Sequence, residues 1–287
     1  MRALAEFIMR GRPQAALVAT VGNLIPLISP ATVALVSLRR STYDGLLVAL
    51  WALLPTLLLL AFSDVDPVLL GATMLVVIAV VMCAQVLRNT ASWVATLASL
   101  VAVSGAASLF AWQMAPDVVG AFTQQLNEVL ERAASDANGS VALVTPAFFS
   151  GLIAYVIALH VLGSLILGRW WQATLYNPGG LREELHALRL PKMLAAGFAL
   201  ASLLCLSAGP DYVLWSNLLL LPLVVSGAAF VHYAVGAMGL GSFWLVLFYI
   251  GLVLIGPMSV LVTAVGMADS FMNLRARLPK KGSGDAQ

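Results

Sequence analysis

Three histidines, His160, His186 and His232, are the side chains in this 287-residue sequence able to gain or lose a proton near neutrality. Two of them, His160 and His232, fall inside apolar runs, with Tyr155 and Tyr233 close by in sequence. A buried neutral imidazole needs a hydrogen-bonding partner, so each marks either a ligand-binding surface or a bond between helices. Asn23, Gln85, Tyr155, Asn217 and Tyr233 are the other polar groups in or at the ends of apolar runs. The histidines lack the close spacing of a metal site, and no nucleophile elbow, phosphate loop or zinc-protease helix is written in the chain. We therefore expect no catalytic residues, no metal and no cofactor. Cys83 and Cys205 lie in apolar runs without CxxC spacing and read as small buried hydrophobes.

The elements that must position these groups are membrane helices. Only 10% of residues are charged, 61% are hydrophobic, and the mean hydropathy is +0.96, whereas a soluble domain carries about 25% charged residues. Continuous apolar runs of roughly 18 to 25 residues fit a hydrocarbon layer about 30 Å thick and exclude a β-barrel of alternating strands. The expected fold is all-α, a polytopic transmembrane bundle of about 7–9 segments. It forms one domain over residues 1–278, with residues 279–287 a disordered tail. A net charge of +2, with basic residues at run ends, argues against a nucleic-acid partner and for the lipid bilayer.

The first apolar run, residues 14–38, contains Gly22, Asn23, Pro26 and Pro30, so a helix to about Leu24, a break through Pro30 and a short second helix are expected. Irregular backbone at membrane depth must line a cavity or be covered by protein. That makes Asn23, Pro26 and Pro30, with Tyr155, His160, Asn217 and His232, the candidate ligand-binding residues. Spans are expected near residues 45–62, 67–87, 91–114, 146–167, 193–209, 213–233 and 243–265. Residues 116–140 are amphipathic and acidic, the pattern of an extracytoplasmic helix lying as a lid. Residues 168–192 form a polar elbow on the cytoplasmic surface, with Trp170, Trp171, Tyr176, Arg169, Arg182 and Arg189 as interface anchors. Charge bias is satisfied if residues 14–38 cross twice or form a re-entrant pair, which puts Arg39, Arg40, Arg88 and the elbow on the cytoplasmic side.

Through GRWWQATLYNPGG, then LREELHALRL, and through Gly266, Asp269 and Arg275, the chain resembles the YybS-like proteins of the bacterial inner membrane, a group without an assigned activity. More distantly it is similar to the substrate-binding subunits of energy-coupling-factor transporters, through the proline-bearing segment from Gly22 to Pro30 followed by Arg39, Arg40 and Gly45. The resemblance implies a multi-pass inner-membrane location and a broken first segment, and names no substrate. Residues and resemblance together favour a small-molecule binding or transport protein. The alternative is a non-transporting scaffold that docks a protein partner at the elbow, for instance along residues 181–190.

Overall fold

The structure is a computed structural model and describes residues 1–63, 68–136 and 143–278. It is all-helical, with no strand among the described residues. Five helices are long and apolar enough to cross a membrane, and two further bent pairs bring the number to seven if each pair is one span. The chain is therefore an integral, multi-pass membrane protein that contacts the lipid bilayer. It divides into two compact units, Met1–Pro178 with Cys205–Leu218, and Gly179–Leu204 with Leu219–Gln287.

In the first unit, α1 (Arg2–Arg10) and α2 (Arg12–Val21) lead through a 3-10 turn at Gly22–Leu24 into α3 (Ile28–Arg39). Then come α4 (Thr42–Phe62), α5 (Val68–Thr90), α6 (Trp93–Met114), the acidic α7 (Pro116–Asp136) and α8 (Pro146–Tyr176). Every residue of α3 from Ile28 to Leu38 is buried except Pro30, and α2, α4, α5 and α8 pack around it. Its composition explains that position. Ser29, Ala31, Thr32, Ala34 and Ser37 are small enough for neighbouring backbones to approach, which is how helices associate where lipid removes the hydrophobic drive. Opposite α3, a Cβ on Gly168 of α8 would lie 2.9 Å from the Ala34 Cβ and 3.0 Å from the Ala31 carbonyl. Pro30 does not break the chain as expected. It sits in the first turn of α3, where its missing N–H costs nothing.

One end of this unit gathers the cations. Arg12 pairs with Asp44 at 2.6 Å, Arg40 donates to the Met9 carbonyl at 2.8 Å, Arg88 donates to the Ser37 carbonyl at 3.3 Å, and Arg39 stacks on Tyr176 with 4.2 Å to the ring centroid. The opposite end carries α7, whose Asp117, Glu128, Glu131 and Asp136 outnumber Arg132. Asp64 and Asp66, the last residues of the expected lid (137–140) and the expected disordered tail at 279–287 all lie outside the described residues.

The second unit holds α9 (Gly180–Ala187), parts of α10 (Lys192–Ser207) and α11 (Val213–Ala237), then α12 (Phe243–Leu254), α13 (Gly256–Met272) and a 3-10 turn at Leu274–Arg277. Helices α9 and α10 meet at 74°, and α12 and α13 meet at 117°. The single span expected over 243–265 is thus broken at Ile255, whose extended backbone precedes Gly256 and Pro257 at the start of α13. Proline is suited to a first helical turn and unable to continue the helix before it. Backbones of α11 and α13 touch directly, since a Cβ on Gly227 would collide with the Val262 carbonyl and one on Gly266 with the Leu223 carbonyl.

Candidate functional site

The hairpin α2–α3 is the first candidate. At about 1.5 Å per residue its arms are roughly 15 and 18 Å long, too short to cross a hydrocarbon layer of about 30 Å. Its tip lies deep, because the Thr20 hydroxyl donates to the Trp51 carbonyl at 3.0 Å and the Asn23 amide to the Ala52 carbonyl at 3.1 Å. Ala52 is the midpoint of α4. On the other side, Leu27 faces Gly163, in the middle third of α8. The first segment is therefore a helical hairpin whose tip lies level with the middle of α4 and whose second arm returns to the cationic end.

The tip is irregular and open to the outside of the unit. Leu24 is 85% exposed and Ile25 60%, and Asn23 and Pro26 are exposed with them. Leu27 adopts the left-handed region at φ +69°, a conformation that holds of order 1–3 kcal/mol of strain in a residue other than glycine. The backbone freed at the turn is satisfied locally. Asn23 Nδ2 donates to the carbonyls of Ala19 at 2.9 Å and Thr20 at 3.2 Å as well as to Ala52, and buried Ser29 Oγ donates to Ala19 at 2.6 Å.

Of the other expected ligand residues, His160 is half-buried one turn before Gly163 on α8, which puts it on the face that meets the tip. Tyr155 lies further along the same helix, half-buried. Asn217 is exposed on α11, two residues from Trp215, whose indole donates to the Ala147 carbonyl at 3.1 Å near the start of α8 and away from the tip. His232 belongs to the second unit and is bonded to the Tyr249 hydroxyl at 2.7 Å. The tip thus gathers Asn23, Pro26 and, through α8, His160. Tyr249→Phe should leave the His232 ring unpaired and lower stability by about 1 kcal/mol, within the ~0.6–1.7 kcal/mol found for such bonds in membranes; denaturation in mixed micelles measures it, and an unchanged midpoint would mean that the bond is idle.

A second concavity, of about 440 Å³, lies on α7 against residues 143–146. Asn127 closes it by donating to the Val144 carbonyl at 3.0 Å and accepting from its N–H at 2.7 Å. Glu128 and Glu131 give it an acidic wall, and among the described residues no group of three or more metal-ligating side chains is present there or elsewhere.

The elbow differs from the expectation in two ways. Residues 168–176 are the last turns of α8, so the turn proper begins at Asn177. Trp171 is fully buried by protein and cannot serve as a headgroup anchor, whereas Trp170 (42% exposed) and Tyr176 face outward, and Arg169 donates to Gln172 at 3.2 Å. Arg182 is exposed and Arg189 donates to the Ser270 carbonyl at 3.4 Å.

The most constrained polar group in the second unit was not among the expected site residues. Asp269 on α13 is fully buried and its Oδ2 accepts from Arg275 Nε at 2.9 Å. Arg275 also donates to the carbonyls of His186 and Leu188, and its guanidinium lies 5.5 Å from the Tyr233 ring centroid. A readable signal existed: Gly266, Asp269 and Arg275 stand out at the end of the last apolar run, and nothing between Val265 and Asn273 stops a helix. No family model, curated protein or solved structure matches this chain.

Proposed function

We propose that this is a bacterial inner-membrane protein that binds or transports a small molecule at the tip of the α2–α3 hairpin. The observation that carries the reading is the exposed, irregular tip at mid-span depth. Backbone of that kind does not face lipid; it lines a water-filled cavity or is covered by protein. Discontinuous half-helices meeting near the midplane are the recurring design of transporter sites. Neutral polar groups at the tip and on the adjoining face of α8, Asn23 and His160, fit a neutral or weakly polar ligand. The cationic end of the first unit is then cytoplasmic by charge bias, and α7 lies outside. The resemblance to YybS-like proteins and to transporter substrate-binding subunits is in keeping with the same location and with a broken first segment.

Cysteine labelling tests it. In a background lacking Cys83 and Cys205, Ile25→Cys in native membranes should react with a membrane-impermeant maleimide, while Leu58→Cys, exposed on α4, should not. Reaction only with a lipid-soluble maleimide at both positions would remove the water-filled site. Protection of Ile25→Cys that disappears on purification in detergent would favour the second reading, a scaffold whose partner covers the tip. That reading has its own supporting feature in the acidic, exposed face of α7.

A further inference from the structure

We propose that Asp269 is a proton-binding site and that its occupancy controls whether the elbow helix α9 stays fastened to the second unit. This stands independently of the hairpin site. Three observations meet at Arg275. Its Nε binds Asp269 Oδ2, its two terminal nitrogens bind the carbonyls of His186 and Leu188 at the C-terminal end of α9, and its side chain is only 10% exposed. One guanidinium therefore satisfies carbonyls that a helix end leaves without partners, at the negative pole of the helix dipole. Asp269 is the counter-charge that allows it to be there. Asn273 makes this reach possible: with φ +49° it ends α13 and turns the chain so that the next turn brings Arg275 back beside Asp269.

The second carboxylate oxygen is what makes the pair switchable. Asp269 Oδ1 is buried and has no hydrogen-bond partner, which is unusual for a buried charged group. Its free lone pairs are the place where a proton from the aqueous phase adds, with no bond in the protein broken. The ion pair with Nε then becomes a weaker hydrogen bond from a cation to a neutral acid, and Arg275 is left as a buried cation without its counter-ion. Leaving for water restores its solvation but removes both carbonyl bonds at once, so α9 is released as a unit. The charged and titratable groups around the pair are few. From α9 they are His186, whose ring packs edge-on to Tyr233, and Arg182 beside Gly236, on a helix that also carries Glu183 and Glu184; from the following segment, Arg189; from α11, Tyr233 and His232; and from α12, Tyr249 on His232.

Hydrogen–deuterium exchange on the full chain in nanodiscs tests this, with rates corrected for the intrinsic effect of pH. At neutral pH, amides of residues 181–190 should be protected. On acidification their protection should fall about tenfold or more, the factor that one charge-assisted hydrogen bond represents, while residues 223–230 and 262–268 stay protected. Asp269→Asn should show the released elbow already at neutral pH and no further response to acid. Arg275→Lys keeps the charge pair and loses the paired carbonyl donors, so it should loosen the elbow at every pH. Wild-type protection that does not change with pH, or that is lost together with that of α11 and α13, would overturn the proposal, as would an Asp269→Asn elbow as protected as the wild type's. If Asp269→Asn does not fold, the wild-type pH series and Arg275→Lys still decide between these outcomes.

Discussion

Gly266→Leu should leave no folded second unit. A Cβ at this position would meet the Leu223 carbonyl and sit 2.9 Å from the Gly227 amide nitrogen, both of them backbone atoms that no rotamer change can move. Side chains can be accommodated only by separating α11 from α13, which also breaks the reciprocal contact of Gly227 with the Val262 backbone. Between membrane helices the loss is not recovered elsewhere, because lipid is as apolar as the packed interface and close van der Waals contact is most of what holds the pair. Gly266→Ala should cost about 1–3 kcal/mol, the usual scale of overpacking, and leucine several times that, enough to exceed the ~5–15 kcal/mol that a domain has in hand. The measurement is the monodisperse fraction after extraction in mild detergent, followed by thermal unfolding of what survives. Gly71→Leu on α5 is the control, since nothing lies within 4 Å of its Cβ position. Equal behaviour of the two leucine variants would mean that the helices do not cross at Gly266.

Asn23→Leu should be the most damaging substitution in the hairpin. A single amide nitrogen supplies three carbonyls, those of Ala19, Thr20 and Ala52, and so ties the exposed turn both to α2 and to α4. Leucine has the same branching and number of heavy atoms, and the position is exposed enough to take its larger methyl groups, so the loss is mainly polar. A hydrogen bond contributes a net of about 0.5–1.5 kcal/mol, and with three acceptors affected we expect a loss of about 2–3 kcal/mol. Thr20→Val removes one bond, that to Trp51, and should cost about 0.6–1.7 kcal/mol. The ordering of the two in reversible unfolding from bicelles is the test, and a leucine variant no worse than the valine variant would show that the tip does not depend on Asn23. The result also bears on function. A ligand that needs the Asn23 amide must compete with all three carbonyls, so its binding would loosen the hairpin.

Apolar periodicity made the all-helical, multi-pass fold readable, and the placement of Arg39, Arg40 and Arg88 made a chain reversal within residues 14–38 readable, the reversal seen as the α2–α3 hairpin. The elbow was harder. Arg169, Gln172 and Thr174 look like surface residues, but they are half-buried and interleaved, inside one continuous helix, with the buried Gly168, Trp171 and Ala173. Local polarity marks the amphipathic end of a span as readily as the end of the helix. Asp269 was hidden for the converse reason. A carboxylate is expected to lie beyond the apolar run, and only the fold reveals that Arg275, a short turn later, comes back to neutralise it. Gly256 and Pro257 did carry a signal for the bend at Ile255, masked by the hydrophobicity on either side. Asn23 was recognisable as special. Whether its amide would face a ligand or the backbone beneath it depends on the depth of Ala52, which no local pattern encodes.

The contact between Arg275 and the elbow has a temporal meaning as well. His186 and Arg275 are separated by 89 positions. At a synthesis rate of about 5–20 residues per second, the carbonyls of α9 wait roughly 5–20 s between leaving the ribosome and meeting their donor. During that interval α11, α12 and α13 must be inserted. Seating of the elbow is therefore a late event in biogenesis, completed only once the last residues of the second unit are in place.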